Sequence, residues 1–152
     1  MKVLYGLISL FLVACVSAPP QSQRSLYQEF HAFKSMANSN YELAKKTKIS
    51  RELREHVEQA QKNMPAELRT DFFLNLANNF DDEDSHFEEK RAESGCLTVN
   101  GVNQDGRPET LSLSYIKEDG NWVINRYMSH IHDSVNGYYE SARCRIAGSQ
   151  PQ

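Results

Sequence analysis

The chain has 152 residues, with 17 Lys and Arg against 20 Asp and Glu and a formal net charge of −3. That length makes one domain, with enough residues to bury a proper core. The mildly acidic balance lacks the basic footprint of nucleic-acid binders and gives no electrostatic pull toward anionic lipid.

In chain order, Lys2 supplies a positive charge ahead of an apolar run from Val3 to Val13, broken only by Gly6 and Ser9. The run is too short for a transmembrane helix, which needs ~20 apolar residues. With small residues leading into Cys15 it has the form of a secretory signal. Leu12-Val13-Ala14-Cys15 resembles the lipobox of bacterial lipoproteins. The resemblance implies diacylglycerol on the Cys15 thiol, removal of residues 1–14 and acylation of the new amino terminus. Val16 follows the cysteine, in place of the aspartate of an inner-membrane retention signal. The implied location is the outer membrane of a Gram-negative bacterium, with the domain facing the periplasm. More than one acyl chain would hold it there stably. The competing reading is an ordinary cleaved signal whose cysteine is incidental.

Residues 15–25 contain Pro19-Pro20 and no hydrophobic periodicity, and they read as a tether. A single globular domain is expected over 26–146, with an unstructured tail at 147–152. Leu26, Phe30, Phe33 and Ala37 form the apolar stripe of a first helix, which Asn38-Ser39-Asn40 ends. A second helical piece covers 41–46. Ser50 can cap a third helix with Leu53, Val57, Ala60 and Met64 on one side. Pro65 suits the first turn of a fourth, carrying Leu68, Phe72, Leu76 and Phe80. Asp81-Asp82-Glu83-Asp84 then reads as a solvated connector, placed to form a recognition patch for a basic partner. It lacks the alternating oxygens and the glycine of a calcium loop.

Beyond it the period changes to two. Residues 86–91 make a poor first strand. Leu97 and Val99 alternate, as do Leu111, Leu113 and Tyr115, and then Val123 and Tyr127. Asn103-Gln104-Asp105-Gly106 marks one turn and Glu118-Asp119-Gly120-Asn121 a tight hairpin. Residues 135–146 fit either a short strand or irregular cover. Helices followed by an antiparallel meander define an α+β fold.

The stretch 111–127, with Lys117-Glu118-Asp119-Gly120-Asn121-Trp122-Val123-Ile124, is similar to the last hairpin of the nuclear transport factor 2-like (cystatin-like) superfamily. The helical opening, with Tyr41-Glu42-Leu43-Ala44 and Ser50-Arg51-Glu52-Leu53, resembles the same plan. The resemblance covers residues 26–130 and implies a curved sheet wrapped on the helices as a cone with a pocket. The helical insert at 50–80 departs from it. The superfamily includes isomerases, dehydratases and non-catalytic binding domains, so the fold alone does not fix a function.

With Cys15 acylated, Cys96 and Cys144 remain as an even pair in an oxidising compartment, where a disulfide is the default. A reactive pair would favour CxxC spacing, which is absent. His130-x-His132 would project two rings on one face if the strand continues, as metal ligands can. A third ligand would have to come from elsewhere, such as Asp133 or His86. Two surface histidines at a strand end are the plainer reading. Tyr27, His31, Tyr115 and His130 are the residues available for acid–base chemistry. Trp122 fits the core, and Tyr138-Tyr139 an exposed contact face. No nucleophile elbow, HExxH, P-loop or dinucleotide fingerprint occurs, and no cofactor is expected. The expectation is a non-catalytic module for a protein partner, such as a toxin neutralised at the envelope, or for a small ligand. An isomerase- or dehydratase-like enzyme with its pocket in the cone is the alternative.

Overall fold

The computed structural model describes residues 24–144. Cys15, the lipobox, most of the tether and the tail at 147–152 lie outside the described residues. Three of the four helices open with side-chain caps that the sequence supplies. Helix α1 (Leu26–Ser39) begins at Ser25, whose hydroxyl accepts from Gln28 N, while the Gln28 side chain accepts from Ser25 N. Asn40 caps α2 (Tyr41–Lys48) and Ser50 caps α3 (Arg51–Lys62), each accepting from the backbone N–H of the third residue on.

The fourth helix is shorter than the apolar spacing predicts. Pro65 is extended, Ala66–Leu68 form one 3-10 turn, and α4 spans only Phe72–Ala77. Leu68 is exposed, so the expected stripe never forms. Asn78 caps the helix end: its backbone N–H and its side-chain amide both donate to Leu74 O, at 3.0 and 3.1 Å. The stripe on α3 likewise buries Leu53 and Val57 but leaves Ala60 and Met64 outside the core.

Four antiparallel strands in the order β1-β2-β3-β4 follow: β1 (Phe80–Lys90), β2 (Ser94–Asn103), β3 (Pro108–Glu118) and β4 (Asn121–Ile131). Phe80 thus opens a strand rather than closing a helix. Asp81, Asp82, Glu83 and Asp84 are strand residues rather than a connector. Cross-strand pairing with β2, from Phe80↔Asn103 to Lys90↔Gly95, overrides their low strand propensity; Asp82 and Glu83 pair with Val102 and Gly101, while Asp81 and Asp84 fall at register shifts. Gly101 makes this approach possible: a Cβ there would lie 2.2 Å from Asp82 O. Asp119 (φ 51°) and Gly120 (φ 78°) supply the left-handed backbone of the β3–β4 hairpin.

The sheet has two unlike faces. Leu97, Val99, Leu111, Leu113, Tyr115, Trp122 and Ile124 pack beneath the helices against Leu26, Phe30, Phe33 and Phe73. Burying side chains of this size contributes about 1.5–3 kcal/mol each. The opposite face carries Cys96, Thr98, Asn100, Thr110 and Ser112, also buried but mostly polar. Residues 132–144 cover it as an irregular strap, with one 3-10 turn at Val135–Gly137 and no strand. The Cys96–Cys144 disulfide closes the strap onto β2.

Candidate functional site

Strands β1 and β4 are the two edges of the sheet. The first half of β4 is closed off where Ser50 N donates to Ile124 O (2.9 Å) and Ile49 bridges Ile124. The outer edge of β1 pairs with no strand among the described residues. That edge carries Asp81, Asp82, Glu83, Asp84, Glu88 and Glu89, against Lys90 as its one lysine or arginine.

Several of these carboxylates are engaged from within the domain. Glu83 accepts from Tyr27 Oη (2.8 Å) and from the Lys34 ammonium, and lies 3.2 Å from His31 Nε2. Burial pushes the Glu83 carboxyl up, but hydrogen bonds from Lys34 and Tyr27 with the charges of Lys34 and His31 outweigh it, leaving its pKa below the ordinary value. Tyr27, by burial and then by Glu83, is pushed up to about 12. Glu88 accepts from Tyr27 N and Glu89 pairs with Arg91. Asp84 accepts from Tyr138 Oη at 2.9 Å. Asp81 and Asp82 are exposed and hold no side-chain partner among the described residues.

Glu83 makes stability pH-dependent in acid. Its folded pKa lies below the unfolded one, so the unfolded chain binds more protons there. Its contribution is complete above the ordinary value of 4.5 and is lost as pH falls through the folded value. Urea midpoints measured from about pH 6 down to about pH 3 should therefore converge for the native chain and Glu83→Gln. A gap that stays constant across the range would refute this role.

Tyr138 and Tyr139 are half-buried on the strap. The Tyr138 hydroxyl also reaches Gly101 O (2.8 Å), and Asn100 Nδ2 donates to Tyr139 O (2.8 Å). The Tyr139 ring lies near that of His130 (centroids 6.0 Å) and beneath the Arg143 guanidinium (4.5 Å). The tyrosine pair thus anchors the strap, with only part of its surface free.

The rings of His130 and His132 lie 4.6 Å apart, as the one-face reading requires. The hydrogen bonds fix the proton of His132. Asn100 Nδ2 is used on Ser85 Oγ and Tyr139 O, so Asn100 Oδ1 accepts from the Thr110 hydroxyl (2.6 Å). Thr110 Oγ1 therefore accepts from His132 Nε2–H (2.7 Å), and only Nδ1 is left for a ligand. A Cβ added at Gly137 would lie 2.9 Å from that nitrogen, so the strap crowds it. Burial and then neighbouring His130 lower the His132 pKa, against Asp133. His86 stacks on Tyr27 at 3.7 Å on the helix side of β1 and is not brought to the pair. No group of three His, Cys, Asp or Glu suited to a metal occurs among the described residues.

Of the four candidate acid–base residues, Tyr27 and His31 are brought together on Glu83, with their rings 4.5 Å apart, while Tyr115 and His130 stand elsewhere. Tyr115 is in the core with its hydroxyl unpartnered among the described residues, and burial followed by the charges of Glu29 and Glu88 holds its pKa well above the ordinary value. His31 sits outside on Glu83, and His130 on the strap side of β4. Trp122 is buried, with the ammonium groups of Lys90 and Lys117 at 5.2 and 5.3 Å from its ring.

Two charged features escaped sequence reasoning. Glu29 and Lys48 form a buried ion pair (2.8 Å) between α1 and α2. Glu109, on β3, is a buried carboxylate at the base of an open polar cleft of about 440 Å³. Nothing in its local sequence marks it, because its three donors come from Asn79, Asn103 and Ser129.

Comparison with protein-family models, curated proteins and solved structures returns no match for this chain.

Proposed function

We propose that the chain is a lipid-anchored envelope protein, held by acylated Cys15, whose α+β domain binds a protein partner along the acidic edge of β1. The observation that carries the reading is the pairing of an unpaired strand edge with Asp81 and Asp82, two exposed carboxylates lacking internal partners among the described residues. A strand edge offers its backbone N–H and C=O groups to an extended segment, and the charge selects a basic one. A periplasmic toxin presenting a basic strand fits this chemistry. The same charges repel an identical edge, which discourages self-pairing. Tyr115 and His130 stand apart from Tyr27 and His31, so the four candidates share no one site, which supports binding over catalysis.

The cone-like curvature, and with it a place in the nuclear transport factor 2-like superfamily, belongs to this proposal. It draws support from the order of helices before a four-stranded meander, and from Leu113, Tyr115 and Trp122 packing beneath α1.

The test is capture from solubilised envelope with the lipidated chain as bait, beside Cys15→Ala and the double variant Asp81→Lys/Asp82→Lys. One stoichiometric partner, released by raised salt and lost with the double variant, is the expected result. Capture that survives charge reversal would overturn the edge reading. No protein partner, with a small molecule retained instead, would overturn the protein-binding function.

A further inference from the structure

Glu109 is a buried charge short of one partner. Only 4% of the residue is exposed, yet no Lys, Arg or His lies within ion-pair distance among the described residues. Its Oε1 accepts from Asn79 Nδ2 (2.9 Å) and Ser129 Oγ (2.6 Å), and its Oε2 accepts from Asn103 Nδ2 (2.7 Å). A carboxylate offers about four lone-pair sites, so one position on Oε2 is open. The Asn103 bond is fixed in direction. Its Oδ1 accepts from Asp105 N and Arg107 N, both at 3.0 Å, so Nδ2 must face Glu109. Arg107, the cation on the cleft wall, is instead engaged with Asp105 at 3.3 Å, where both side chains are mostly exposed.

The three donors are all neutral, so the buried carboxylate has hydrogen bonds but no counter-charge, and a cation at the open position would supply one. The cleft above it is open to solvent and walled by amides, including Asn75 and Asn79, with half-exposed Ile131 at its side. Amide oxygens accept from an ammonium, and an aliphatic wall suits the methylene stem that carries one. The cleft also adjoins the start of β1, because Asn79 precedes Phe80 and Asn103 pairs with Phe80.

We propose that this cleft receives a primary ammonium group, carried by a lysine side chain of the protein that docks on β1. The source of the lysine rests on the docking reading; the affinity of the cleft for an ammonium does not. Titration with n-butylammonium chloride, against 1-butanol and sodium chloride at matched concentration, tests the cleft by NMR. Saturable shifts at the side-chain amides of Asn79 and Asn103 and at the Ser129 N–H are expected with the ammonium alone. Glu109→Gln should abolish them. Ile131→Lys, which sets an internal ammonium at the mouth, should weaken binding of the probe at least about tenfold while leaving Glu109 and its donors in place. Equal shifts with butanol, or shifts that persist in both variants, would overturn the proposal while leaving β1 docking untouched. Ammonium binding with partner capture unchanged in Glu109→Gln would overturn the lysine source. Loss of capture only in Asp81→Lys/Asp82→Lys would have the same meaning. Absence of any captured partner would defeat the docking reading and with it the lysine source, leaving the ammonium site to stand on the titration.

Discussion

Lys48→Met is expected to lower stability by about 3–5 kcal/mol. Lys48 Nζ donates to Glu29 Oε2 at 2.8 Å, and Glu29 is 1% exposed. Removing the ammonium strands a carboxylate where water cannot reach it. Glu29 Oε1 already has no hydrogen-bond partner among the described residues, and the unpartnered Tyr115 hydroxyl shares this interior. The pair is therefore a poor source of net stability even though breaking it is costly. Replacing both ends, as Glu29→Leu/Lys48→Met, should recover most of the loss, because desolvation of two charges disappears with their attraction. The comparison of interest is urea unfolding of both single variants and the double. A double variant as unstable as the sum of the singles would contradict this account and point to side-chain packing as the whole effect.

The same pair shows where sequence reading stops. Leu26, Phe30, Phe33 and Ala37 all reach the core, as their spacing predicts, and Ser25, Asn40 and Ser50 cap the helices by local rules. Glu29 stands three residues after Leu26 and Lys48 four after Ala44, positions on the same helix faces as core residues. That spacing was the available signal, but charge type argues for solvent unless the partner, nineteen residues away, is known to be opposite. In 65–90, Leu68, Phe72, Leu76 and Phe80 fit a helical period, but long-range pairing of β1 with β2 takes Phe80 into a strand. Period-two alternation fails in β1 because both its faces are largely exposed. The pairing of Cys96 with Cys144 was legible because, with Cys15 assigned to lipid, only two cysteines remained. Glu109 was not legible, since its cleft joins segments thirty and twenty residues away through Asn79 and Ser129.

Opening the disulfide is the second large effect. Cys96→Ser/Cys144→Ser should cost roughly 4 kcal/mol in the chain-entropy model, given a sequence separation of 48. Small domains have about 5–15 kcal/mol in all, so the variant should be marginal. The loss should also be uneven. The strap keeps short polar clamps, from Arg143 N to Thr98 Oγ1 (2.8 Å) and from Asn100 Nδ2 to Tyr139 O. The face beneath it presents Thr98, Asn100, Thr110 and Ser112, which water can solvate once the strap lifts. Detachment therefore exposes little apolar surface, whereas lifting the helices would expose Phe30, Phe33 and Trp122. Hydrogen exchange in the variant should rise first across residues 132–144, with protection beneath α1 retained until global unfolding. Uniform loss of protection on both faces would mean that the bridge stabilises the domain only as a whole, while unchanged exchange and an unchanged urea midpoint would mean that the polar clamps hold the strap without it.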